Sequence, residues 1–138
     1  MTLSDLLYMD NEHFVKEPRS HACTIEVDGR TVSHVGWDNR TVRVDGKRIQ
    51  VCAIGYVVTD ELVRHRGFAT TLMLLAHDLA RSEGISFGAL FTGVPGLYQP
   101  LGYEYQKNLS LVSTGGMVAS LDGSVWPDGI VDPCGVPW

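Results

Sequence analysis

From His21 to Val27 apolar and polar positions alternate, the period-two pattern of a half-buried strand. Asp28-Gly29 follows, a pair suited to a two-residue hairpin turn. Residues 31–37 alternate again. The pattern runs on past Asp38-Asn39, with room for a bulge, into residues 40–44. Asp45-Gly46 is a second hairpin signal. Lys47 to Thr59 then reads as one long strand. It is apolar on both faces toward its end, at Val51, Ala53, Ile54, Val57 and Val58, which predicts that this end is central in a sheet. The first half of the chain is thus an antiparallel meander.

After Thr59 the period changes. Phe68, Leu72, Leu75, Ala76 and Leu79 fall at helical spacing and predict a buried stripe, with His77, Asp78 and Arg81 facing outward and Gly84 ending the helix. Residues 85–91 form a short apolar strand. Strand, helix and strand in succession imply a parallel pair with a crossover. Residues 92–96 are a loop, and residues 97–101 a brief helix limited by Pro100 and Gly102. Residues 103–112 alternate as a strand. Gly115-Gly116 is expected to break the chain, and the Gly/Pro-rich remainder to hold one short strand at most. Leu3 to Tyr8 could make a helical turn or two before Pro18. Only about twenty residues precede the first clear strand.

The junction between Val57 and Leu72 carries the chemistry. A strand that turns through Gly67 into a helix leaves unpaired N–H groups at the helix start, and with the dipole behind them these form an anion site. Arg64, His65 and Arg66 oppose that dipole, so they serve the helix poorly and suit a phosphate or pyrophosphate well. Asp60 and Glu61 come too late to lie in the strand and are expected to face solvent at the turn.

Composition narrows the setting. At 138 residues the chain is expected to be one domain, residues 1–138, with an irregular segment at 1–20 and a Gly/Pro-rich segment at 115–138. A net charge of −5 without a basic block argues against nucleic acid as partner. No apolar run approaches the length of a membrane span. Cys23, Cys52 and Cys134 are widely spaced, form no C-x-x-C pair and suggest neither a disulfide framework nor a metal site, so a reducing cytoplasm is expected.

Two motifs then resemble a known family. Arg64-x-x-Gly67-x-Ala69 fits the (Arg/Gln)-x-x-Gly-x-(Gly/Ala) turn of the GCN5-related N-acetyltransferases, at the end of a long strand and the start of a helix. Leu97-Tyr98-Gln99-Pro100-Leu101-Gly102-Tyr103 resembles the family's second signature, with Thr92 just before it. The resemblance covers roughly residues 21–112 and implies an α/β (α+β) fold. Its sheet is mixed and mainly antiparallel, with a strand–turn–helix CoA site and a shortened N-terminal strand and helices. It implies acetyl-CoA as co-substrate, without metal, and an amine acceptor. The pyrophosphate would sit on the N–H groups of Arg66, Gly67, Phe68, Ala69 and Thr70. The pantetheine would pair with Val57, Val58 and Thr59, while Arg64 and His65 add charge. Tyr98 matches the family's Tyr that lies near the sulfur and can protonate the leaving thiolate; Tyr103 is expected in the core.

The acceptor side is less determined. Many relatives place a Glu in the strand that here ends at Thr59, but residues 51–59 contain no carboxylate. His34, Asp38, the C-terminal carboxylate or a bound water could act as base. The C-terminal segment ending Asp132…Trp138 is similar to that of aminoglycoside 2′-N-acetyltransferases, where such a segment lines the acceptor pocket; the bland alternative is a tail tucked over the sheet. His34, Asp132 and Trp138 are therefore candidate acceptor-side residues. The short N-terminal region implies an open acceptor site, one completed by a second subunit, or a shortened form of the family fold; the sheet edge and apolar surface it would leave exposed favour a homodimer. The alternatives to an enzyme are a CoA-binding module with a sensor or assembly role, and a phosphate-binding domain unrelated to CoA.

Overall fold

The computed structural model describes residues 20–111 and 114–132. The expected turn at residues 3–8, Cys134 and Trp138 lie outside them. The described residues fall into two compact units, one built from residues up to 38 with 54–76, the other from 39–53 with residues 77 onward.

In the first unit, β1 (His21–Val27) pairs antiparallel with β2 (Arg30–Val44), His21 opposite Trp37 and Val27 opposite Arg30. Asp28 and Gly29 both take positive φ, 52° and 76°, the turn that Asp-Gly favours because it matches the twist of the strands it joins. β2 is followed by β3 (Lys47–Thr59), to which it is hydrogen-bonded; the turn that joins them, Asp45 and Gly46 at 50° and 81°, is of the same kind and belongs to the second unit. All three strands match the expected spans. Cys23 on β1 faces the helix α1 (Phe68–Ser82), its Sγ 3.7 Å from the Leu72 carbonyl. Val32, Val35, Trp37, Leu72, Met73 and Ala76 are buried here.

In the second unit, β3 pairs in parallel with β4 (Phe87–Phe91) over only Val51 to Ala53. Burial follows that pairing. Residues 51–54 are buried and 55–59 only half-buried, so the covered part of β3 is its middle and not the end expected from its apolar run. β4 pairs antiparallel with β6 (Thr114–Ser120), and β6 with β5 (Glu104–Leu111). The sheet is thus mixed and mainly antiparallel, as expected. The core here is Val42, Val51, Phe87, Ala89, Leu109 and Val118, with Trp126 against it. The segment from Leu121 to Ile130 has no regular structure. It reaches β2, where β7 (Val131–Asp132) pairs with Val44 and Arg43. Trp126 meets Phe87 edge-on at 5.2 Å and donates from Nε1 to the Asn108 Oδ1, so this part of the tail is tucked over the sheet.

Two further expectations fail. Gly115 and Gly116 do not break the chain; they lie inside β6. Their missing side chains make room instead. A Cβ on Gly115 would stand 2.9 Å from the Tyr105 ring, and one on Gly116 2.7 Å from the Leu109 carbonyl, where β5 slips register between Gln106 and Ser110. The buried stripe of α1 is also rotated from the expected one. Leu72, Met73, Ala76, His77 and Ala80 are buried, whereas Leu75 and Leu79 are 45% and 43% exposed. Small residues at 76 and 80 occupy the inward face, and His77 is admitted because it has a partner. The helix ends at Gly84, at φ 80°, with Ile85 N–H donating back to the Ala80 carbonyl, the bond that closes a left-handed helix end.

Candidate active site

The strand–turn–helix junction lies wholly in the first unit. Val57, Val58 and Thr59 end β3 half-buried. Ser33 on β2 holds this end, its Oγ 2.9 Å from the Thr59 Oγ1 and donating to the Val58 carbonyl at 3.4 Å. The chain then descends through a 3-10 turn, Glu61–Val63. Asp60 caps that turn, its Oδ1 accepting from Leu62 N–H at 3.0 Å while its own N–H donates to the Val32 carbonyl at 2.8 Å.

Asp60 does not face solvent, as the sequence suggested; it is 0% exposed. Its carboxylate is offset by Arg30, 3.5 Å from Oδ2, and it is spent on fixing the turn. Glu61 is exposed, as expected. Arg64 turns back and donates from Nε to the Thr59 carbonyl at 3.2 Å, bracing the strand end.

His65 then takes φ 67° and Gly67 φ 77°. Two left-handed residues close together swing the backbone so that successive N–H groups can point to one side, a concavity suited to anions. His65 adopts this conformation at a cost of about 1–2 kcal/mol that glycine would not incur. Gly67 accepts the first helical bond from Thr71 N–H at 3.0 Å, and the Thr71 hydroxyl at 2.9 Å. The N–H groups of Phe68, Ala69 and Thr70 therefore precede the helical ladder. The first turn carries no acidic residue, and Arg64, His65 and Arg66 are exposed beside it. A Cβ on Gly67 would meet nothing within 4 Å, so the space in front of the turn is open. The turn thus fits a diphosphate by charge, donors and room.

His34, on β2, belongs to the same unit. It is half-buried, and its Nδ1 lies 2.8 Å from the Tyr56 carbonyl. Tyr56 itself sits at φ 50°, an uncommon conformation for a bulky residue, one position before Val57.

Tyr98 belongs to the second unit. It is the hinge between two 3-10 turns, Pro95–Leu97 and Gln99–Leu101, where a brief helix was expected. Its N–H donates to the Pro95 carbonyl, and its carbonyl accepts from Leu101 and Tyr103. The side chain is 6% exposed and meets the Tyr103 ring edge-on at 6.1 Å. Burial pushes the phenol upward from its ordinary range, so Tyr98 keeps its proton at neutral pH. Tyr103 is in the core, as expected. Asp132 is exposed in β7, opposite Arg43.

The sequence reading missed a buried pair in this unit. His77, expected outside, is 4% exposed, with Nε2 2.6 Å from the Tyr103 hydroxyl. Burial, with the Arg81 charge adding to it, pushes the imidazole down to about 4, and burial raises the Tyr103 phenol well above its ordinary value. Both are neutral at pH 7, so the hydroxyl donates and Nε2 accepts. Gly88 on β4 makes the room, since a Cβ there would collide with the Tyr103 hydroxyl. A glycine in the middle of the apolar run Phe-Gly-Ala-Leu-Phe was the available signal. A cavity of about 390 Å³ also opens in this unit, lined by Phe87, Glu104, Gln106, Ser120 and Trp126 among others; none of the candidate site residues lines it.

Among the described residues no cluster of His, Cys, Asp and Glu could hold a metal ion, and no helix is long and apolar enough to cross a membrane.

A family model described as an acetyltransferase (GNAT) domain matches residues 9–106. Solved structures resemble the chain as well. One is a GNAT family N-acetyltransferase (YhbS) from Escherichia coli in complex with CoA, with a TM-score of 0.66 at 22% identity over 94% of this chain and 72% of that one. Another is a GNAT family acetyltransferase from Brucella melitensis in complex with acetyl-CoA, with a TM-score of 0.63 at 17% identity, covering 94% and 71%. Eis1 from Mycobacterium abscessus matches with a TM-score of 0.57 at 18% identity over 59% of this chain, which spans only 21% of that protein's length. No curated protein matches the sequence.

The buried imidazole makes stability depend on pH. The unfolded chain takes up a proton near the ordinary histidine value of 6.5, and the folded chain only near 4. Stability contributed by neutral His77 is therefore full above 6.5 and is lost as pH falls toward 4, at about 1.4 kcal/mol per pH unit. Urea unfolding between pH 7 and 5 should show this slope in the native protein and lack that share of it in His77→Gln. Equal slopes in the two would refute the assignment.

Proposed function

The chain belongs to the GNAT acetyltransferase family, and from that premise we propose that it transfers an acetyl group from acetyl-CoA to a primary amine of a small molecule or peptide. The observation that carries this is the open turn with left-handed His65 and Gly67 at the start of a helix free of acidic residues. In this reading Arg66, Gly67, Phe68, Ala69 and Thr70 offer N–H groups to the diphosphate. Arg64 and His65 lend charge, and the backbone of Val57, Val58 and Thr59 pairs with the pantetheine. The two family members solved with CoA or acetyl-CoA support the choice of donor.

The chemistry is direct attack. The amine nitrogen, once neutral, adds to the thioester carbonyl. A backbone N–H near the end of β3 donates to the oxygen on which charge develops. The C–N bond forms, the C–S bond breaks, and Tyr98, held protonated by burial, donates to the departing thiolate. Thiol release from acetyl-CoA with a panel of amines tests the reaction. Binding of CoA without acetylation of any amine would leave a CoA-binding module instead.

Gly67→Asp should weaken acetyl-CoA binding by more than about tenfold, because it forces a side chain into a left-handed position and sets a carboxylate at an anion site. Calorimetric titration giving a Kd within about threefold of the native protein would refute the placement. Tyr98→Phe should lower kcat by about a hundredfold and leave acetyl-CoA affinity unchanged. Unchanged turnover would remove the Tyr98 hydroxyl from the reaction.

A further inference from the structure

We infer that His34 is the general base that removes a proton from the attacking ammonium. The inference deepens the acetyl-transfer reading and rests on it.

The first support is tautomeric. Nδ1 of His34 lies 2.8 Å from the Tyr56 carbonyl oxygen. A carbonyl only accepts, so Nδ1 carries the proton and donates it. In the neutral ring the lone pair is then on Nε2, the nitrogen left to act as a base. Among the described residues Nε2 has no hydrogen-bond partner. The ring is thus orientated by its backbone bond, and its reactive nitrogen is uncommitted.

The second support is position. The carbonyl that anchors the ring belongs to Tyr56, at φ 50°, in a strand whose next three residues are those assigned to the pantetheine. A bulky residue held in a left-handed conformation inside a strand is strain that the surroundings must maintain, and such strain collects at working sites. The bond from His34 is one contact that maintains it. Across β1, Thr24 stands opposite His34 and carries no charge.

The third support is that two carboxylates of this unit, Asp60 and Asp38, have partners of their own. β3 contains none. Asp60 is buried against Arg30 and caps the turn. Asp38 accepts from the Ser20 N–H at 2.7 Å. On the strands around His34, Glu26 lies on β1, Arg30 and Asp38 on its own strand, and Tyr56 on β3.

The step balances simply. Nε2 takes one proton from the ammonium, leaving a neutral amine to attack the carbonyl carbon. When the C–S bond breaks, the second nitrogen-bound proton makes up the proton gained by the thiolate. The imidazolium then returns its proton to water, so one proton is released per turnover.

His34→Asn tests this in the full-length chain with acetyl-CoA and the best amine from the panel. Asparagine keeps a donor for the Tyr56 carbonyl and removes the base. The expected result is a fall in kcat of about a hundredfold or more at neutral and alkaline pH. Acetyl-CoA affinity and melting temperature should be unchanged, and added imidazole should partly rescue the variant. A base works unprotonated, so the advantage of the native protein over His34→Asn should shrink as pH falls. An active native protein with a variant within about threefold of it, at a ratio independent of pH, overturns the role of His34 alone. A variant slowed at all pH values alike, with imidazole giving no rescue, also overturns it, leaving a structural anchor. Native protein that acetylates no amine overturns the acetyl-transfer reading, and this role with it.

Discussion

The structure turns on one backbone constraint. Between Thr59 and Phe68 the chain must leave a sheet and enter a helix without spending the first helical N–H groups. Asp60 makes the departure possible, because a buried carboxylate caps the short turn and Arg30 offsets its charge. His65 and Gly67 make the entry possible, because their left-handed conformations reverse the chain in a few residues. If either end relaxes, the donors no longer converge. Arg64 shows the same economy: its guanidinium braces the Thr59 carbonyl while its charge stays at the mouth of the turn.

The strands before this junction were legible because their signals are local. Two Asp-Gly pairs define the hairpins, and alternation defines the faces between them. The helix was legible in extent but not in orientation. Counting leucines turned the stripe toward Leu75 and Leu79, whereas the inward face is built from Leu72, Met73, Ala76, His77 and Ala80. Periodicity cannot weigh a histidine that has a buried partner. The Tyr103 hydroxyl supplies that partner 26 residues further along, and Gly88 supplies the room. β6 was missed for a related reason. Its glycines signal a break in isolation, yet they are the space into which Tyr105 and Leu109 fit.

The strand–turn–helix junction was readable for the same reason as the hairpins: turn chemistry is written in adjacent residues. The acceptor side was not. The bond between His34 and the Tyr56 carbonyl, on which the proposed role of His34 rests, joins residues 22 apart on two strands. Asp60 shows the converse error. A carboxylate at a turn looks solvated until its burial is known. Where chemistry depends on which face a residue turns and what it touches, composition and spacing name the candidates, and the packing chooses among them.

The proposed placement of a CoA diphosphate on these amide donors is most directly tested amide by amide. In a titration of isotopically labelled protein with CoA, followed by heteronuclear NMR, the resonances of Gly67, Phe68, Ala69 and Thr70 should move together. Those of Val57, Val58 and Thr59 should move with them, saturating at the same concentration. Saturable shifts confined to other residues, such as those around the cavity beside Trp126, would contradict this placement of the donor. No shifts at millimolar CoA would contradict it equally.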